Sequence, residues 1–75
     1  MAKLPNVSGR EAISAFGKIG FYENRQSSSH VVLKKDGHRY NLSIPVHSNE
    51  DLKKGTLRQL IRSAGITVEK FCELL

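Results

Sequence analysis

Apolar residues first recur at helical spacing at Ala12, Ile13, Phe16 and Ile19. The run opens on "SGRE" (8–11), a capping box: Ser8 bonds the amide of Glu11, and Glu11 reaches back to the cap. Gly17 weakens the middle and Gly20 is a natural stop. The pattern predicts a helix over 9–18. The period then drops to two. "FYENRQ" (21–26) reads as a short strand and "SSS" (27–29) as a turn. "HVVLKK" and "HRYNLSI" read as strands joined by "DG" (36–37), the strongest short hairpin signal.

A two-residue Asp36-Gly37 loop fixes a register. Lys35 meets His38, Leu33 meets Tyr40 and Val31 meets Leu42, the last two pairs sharing one apolar face. The other face carries His30 opposite Ser43, Val32 opposite Asn41, and Lys34 opposite Arg39. Lys34 against Arg39 is an unfavourable like-charge pair that an anion over the sheet would relieve. The plainer reading of that face is a solvated surface with its charges placed for solubility.

"PVHSNEDLKKGT" (45–56) reads as a loop. Thr56 caps a second helix, with Gln59 at the capping-box position. Leu57, Leu60, Ile61 and Ala64 form its apolar face, and Gly65 ends it. Thr67 starts a last turn or two, with Ile66 spaced to staple against Phe71. The order is α-β-β-β-α. It predicts a single domain over 1–75 of the α+β class: a three-stranded antiparallel sheet, helices on one face, the other face open.

Length and charge narrow the function. A chain of 75 residues buries only about 60% of its unfolded surface, so an open surface site is expected rather than a deep cavity. Twelve Lys and Arg against seven Asp and Glu give a net charge of +5, a bias toward polyanions such as nucleic acid. The one cysteine, Cys72, allows no intrachain disulfide and no metal framework, and reads as a small buried hydrophobe. "MAKLPNVSG" carries no apolar signal core and no run of apolar residues is membrane-long, so a soluble, cytoplasmic protein is expected.

His30, His38 and His47 share no metal-ligand spacing with Asp or Glu, and His38 beside the turn reads as exposed. There is no phosphate-binding glycine loop and no Gly-x-Ser-x-Gly elbow. What remains is His30 on a basic, open surface. That suits RNA cleavage without a metal, because RNA carries its own nucleophile in the 2′-hydroxyl. An imidazole with an ordinary pKa near 6.5 can accept that proton or protonate the leaving oxygen. Lys and Arg can stabilise the extra charge of the transition state. A second anion site is possible where Lys53 and Lys54 precede a helix N-terminus; an ordinary basic loop with a Thr cap explains the same residues.

The stretches "KLPNVSGREAISAFGKIGF" (3–21), "SSHVVLKK" (28–35), "IPVHSNEDLKKGTLRQLIRSAGIT" (44–67) and "FCELL" (71–75) together resemble the HicA family of bacterial toxins, small mRNA-cleaving endoribonucleases of toxin–antitoxin modules. The resemblance covers almost the whole chain. It implies a fold like the double-stranded RNA-binding domain and an RNase that needs no metal or other cofactor. It implies that His30, which takes the place of the His in the family's Gly-Ser-His motif, is catalytic. It also implies a HicB antitoxin that covers the catalytic face, in a complex that regulates its own operon. Ser28 stands where the family usually has Gly. On this reading Lys34, Arg39, Lys53 and Lys54 bind RNA phosphates, and His47 is a lesser candidate that orients its loop. Two other readings use the same residues: a non-catalytic RNA-binding module of the same fold, and a domain that only sequesters a protein partner.

Overall fold

The computed structural model describes residues 3–47 and 50–75. Its elements are α1 (Gly9–Gly17), β1 (Tyr22–Gln26), β2 (His30–Lys34), β3 (Leu42–Pro45), α2 (Lys54–Ala64) and α3 (Val68–Glu73). The strands form one antiparallel sheet in the order β1-β2-β3. The architecture is the expected α+β arrangement, with α3 the last turns that Thr67 opens. Thr67 Oγ1 accepts the Lys70 amide at 3.0 Å.

Local chemistry sets the helix ends. The Ser8 hydroxyl accepts the Glu11 amide at 3.2 Å, and the Ser8 amide donates to the Glu11 carboxylate at 2.9 Å. This closes the capping box and satisfies two amides that would otherwise lack partners. Gly65 ends α2 in the left-handed conformation, φ 78°, with its amide turned back to the carbonyls of Ile61 and Arg62.

The core lies between the helices and one sheet face. Phe16, Val31, Leu42, Ile44, Leu57 and Phe71 are fully buried. Each such side chain contributes about 1.5–3 kcal/mol relative to exposure. The Phe16 and Phe71 rings meet at 5.1 Å between centroids, joining α1 to α3.

The β2–β3 register differs from the expected one by two residues. Leu33 faces Leu42, Val31 faces Ile44, and His30 faces Pro45. A two-residue shift keeps every side chain on its face but changes its neighbour. It buries Leu42 and Ile44 and leaves Tyr40 56% exposed. The Asp36-Gly37 turn does form, with the His38 amide on the Lys35 carbonyl at 3.0 Å and Gly37 at φ 77°. β3 does not start there, however. His38 is half-buried rather than exposed: its Nε2 donates to the Ser63 carbonyl on α2 at 2.7 Å, and its ring lies edge-on to Phe21 at 5.2 Å. Segment 35–41 is therefore anchored to α2, and Arg39 and Asn41 leave the ladder. Because Arg39 lies outside β3 and the β2–β3 pairing stops at Leu33 and Leu42, the Lys34–Arg39 like-charge pair does not occur; on its other side Lys34 faces Tyr22 of β1.

The tight reversal is at the serines. Ser27 donates its amide to the His30 carbonyl at 2.9 Å, and Gln26 faces Val31, so Ser28 and Ser29 form a two-residue loop. Glycine is favoured in such two-residue loops, and Ser28 holds the first position of this one. α2 also starts earlier than expected. Its N-cap is Lys53, with no side-chain cap, and Gln59 donates to the Ser63 hydroxyl at 3.3 Å instead of closing a box with Thr56.

Two contacts hold the frame and can be tested. Gly9 is buried against β3: a methyl there would overlap the Pro45 carbonyl and lie 3.1 Å from Val46 Cγ2. Gly9→Ala is expected to destabilise the fold by about 1–3 kcal/mol despite alanine's better helix propensity. His38→Ala is expected to cost about 1–3 kcal/mol by leaving a carbonyl without its donor. Urea titration followed by circular dichroism measures both.

Candidate active site

Hydrogen-bonded β-partners share a face, so the sheet surface away from the helices can be read from the ladder. β2 presents His30, Val32 and Lys34 there. β1 adds Tyr22 and Arg25, the partners of Lys34 and Val32. β3 adds Ser43 and Pro45, the partners of Val32 and His30. Tyr22 is 48% exposed. Among the described residues no helix covers this surface, and one end of it is the His30 corner.

That corner is built by the chain's turns. The Val46 amide donates to the Ser29 carbonyl at 2.8 Å, extending the β2–β3 pairing one step past His30 and Pro45. The next position after Pro45 on the same side is His47. The His30 and His47 rings accordingly lie 6.4 Å apart between centroids, nearly perpendicular at 79°. Both residues are exposed. Ser29 Oγ lies 3.0 Å from His30 Nδ1 and engages the ring through that nitrogen.

Beside His47 opens a cleft of about 240 Å³ lined by Pro45, His47, Glu50, Asp51, Leu52, Lys53 and Thr56. Its far wall is pinned to the N-terminal segment: the Leu52 amide donates to the Val7 carbonyl at 2.7 Å, and Ser8 bridges to Asp51.

The expected cations are distributed unequally around this corner. Lys53 stands at the cleft. Lys34 shares the face of His30, four residues along the strand, about 13 Å away at 3.3 Å per residue. Arg39 lies in the 35–41 segment with its guanidinium 5.9 Å from the centre of the Tyr40 ring. Lys54 Nζ donates to the Leu4 carbonyl and to Asn6 Oδ1, both at 2.8 Å, and so ties α2 to the N-terminal segment. Cys72 is half-buried with its thiol facing the Lys3 carbonyl at 3.9 Å.

Ser29, Tyr22, Arg25 and Pro45 escaped the sequence reading, Pro45 because it was assigned to the 45–56 loop rather than to the end of β3. Ser29 is marked only by adjacency to His30. Tyr22 and Arg25 needed the β1–β2 pairing, which passes through an irregularity between Glu23 and Arg25. His47 was placed on a loop, where it lies past the end of β3, but not beside His30. The register that sets His30 against Pro45 would have brought it to His30.

Fold and site define a small basic α+β domain whose open sheet face ends in two imidazoles. The chain belongs to the HicA toxin family: the model for the HicA toxin of bacterial toxin–antitoxin systems matches residues 9–66. The match spans α1, the sheet, α2 and both imidazoles. No curated protein matches the chain. The protein is thus a toxin of a toxin–antitoxin system, with an antitoxin as its partner.

The lysines separate by role. Lys54→Ala removes two hydrogen bonds and is expected to lower stability by about 1–2 kcal/mol. Lys53→Ala is expected to stay within about 0.5 kcal/mol of the parent. Paired urea denaturation curves check this.

Proposed function

We propose that the protein is an endoribonuclease that cleaves mRNA without a metal ion and so inhibits translation in the cytoplasm. We propose further that a HicB-like antitoxin neutralises it by covering the sheet face that bears His30. The observation carrying this reading is the exposed His30 ring, held by Ser29 at the end of an open, basic sheet face.

The chemistry follows from RNA itself. The 2′-hydroxyl sits next to the phosphodiester it attacks, so the enzyme need not supply a nucleophile. His30 moves a proton at one end of that displacement. Such a group contributes about 10²–10⁴ in rate. Lys53 places positive charge beside the corner, and Lys34 lies roughly two nucleotides away along the sheet at about 13 Å. Lys34, Arg39 and Lys53 hold phosphates, and each contact adds to the salt dependence of binding. Lys54 acts on RNA mainly by fixing the start of α2. No helix among the described residues is long and apolar enough to cross a membrane.

The test is cleavage of a long single-stranded RNA in excess EDTA by the parent and by His30→Ala. The variant is expected to cut about 10²–10⁴ more slowly, with an unchanged circular dichroism spectrum. Salt-dependent binding without cleavage by either protein would instead mark a non-catalytic RNA-binding module. Lys53→Ala is expected to weaken binding and to flatten its salt dependence by about one counterion.

A further inference from the structure

The His30–His47 pair suggests what completes the reaction. Displacement at phosphorus places the entering and leaving oxygens on opposite sides of the phosphorus. One proton must be removed on one side and one delivered on the other. A single imidazole reaches one side. The structure puts a second imidazole 6.4 Å from the first, on the same sheet face, turned by 79°. No hydrogen bond joins the two rings among the described residues. The two rings are close enough for both to reach oxygens of one phosphodiester lying across them, since each hydrogen bond to an oxygen spans about 2.7–3.2 Å.

We propose that His47 is the general acid of the cleavage and His30 the general base. This inference rests on the endoribonuclease reading above. It assigns His30 Nδ1–H as the donor to Ser29 Oγ, which leaves Nε2 as an acceptor toward substrate. Nε2 takes the proton of the 2′-hydroxyl as the O2′–P bond forms. His47, entering the reaction protonated, gives its proton to the 5′-oxygen as the P–O5′ bond breaks. The products are a 2′,3′-cyclic phosphate and a 5′-hydroxyl end. The two rings finish with exchanged protonation, and water restores them. The charged and titratable groups around His47 are His30 on β2, and Glu50, Asp51 and Lys53 along the cleft.

His47 is not held by chance. Its place follows from the pairing of His30 with Pro45 and from the Val46–Ser29 hydrogen bond, so both rings ride on one ladder. A role limited to orienting the loop would not require the ring to face His30.

The experiment uses two short RNAs that differ at one atom. One has the ordinary 5′-oxygen at the scissile link, and the other has sulfur there. A thiolate leaves without being protonated, so the sulfur substrate does not need a general acid. His47→Ala is expected to cut the oxygen substrate about 10²–10⁴ more slowly than the parent and to recover most of the parental rate on the sulfur substrate. His30→Ala is expected to stay slow on both. The parent's pH–rate profile is expected to be bell-shaped, and His47→Ala on the sulfur substrate is expected to lose the limb that falls at high pH. The proposal is overturned if His47→Ala cuts the oxygen substrate at the parental rate, if it is equally slow on both, or if His30→Ala is the variant that recovers. Recovery on sulfur also shows that the variant is folded. Failure of the underlying reading looks different: the parent itself would leave both RNAs intact, which overturns both conclusions.

Discussion

The register between β2 and β3 governs this molecule. Val31 and Leu33 face Ile44 and Leu42, and these four side chains form the sheet's contribution to the core. Any odd shift of β3 would turn Leu42 and Ile44 to solvent and lose several kcal/mol, at about 1.5–3 kcal/mol for each side chain. An even shift is cheaper, so something must choose among the even registers. The choice falls to aliphatic Leu42 and Ile44 over Tyr40, whose phenol would need a buried partner. His38 supports that choice by drawing the 35–41 segment onto α2. The pairing of His30 with Pro45, and with it the place of His47, is a by-product of packing on the opposite face.

The sequence disclosed the parts whose signals are local. The capping box at Ser8, the stop at Gly65 and the apolar stripe of α2 each depend on residues within four positions, and each stands where the pattern put it. The α+β class followed from their order. The loops were harder. Asp36-Gly37 forms the turn its chemistry favours, yet the strand resumes only at Leu42, because a contact with Ser63, 25 residues away, outweighs the local preference. Thr56 and Gln59 spell a capping box that α2 bypasses, since its first turn is fixed from outside by Lys54 and the N-terminal segment. The site was legible at His30 alone. His47 was named as a lesser candidate, but its closeness to His30, like the place of Tyr22, becomes visible only through strand pairing, which no short motif encodes.

Charge explains less of the site than chemistry does. The chain's excess of cations draws polyanions to it. Yet Lys54 is engaged in holding the fold and Arg39 lies away from the corner. Lys53, at the cleft edge, is the cation that the fold sets beside His47. The family places the protein among toxins with an antitoxin partner, and the open sheet face is a surface such a partner can reach without any helix moving aside.

β1 gives the sheet a free edge, and all five of its residues are exposed. A long, flat edge invites further strands to add, which leads to aggregation. Here the slip between Glu23 and Arg25 bends the strand, and those two residues put opposite charges along it. A second copy docking edge to edge would meet a kinked ladder. The same irregularity that hid Tyr22 and Arg25 from a simple alternating pattern therefore makes the β1 edge a poorer template for a further strand than a regular ladder would be.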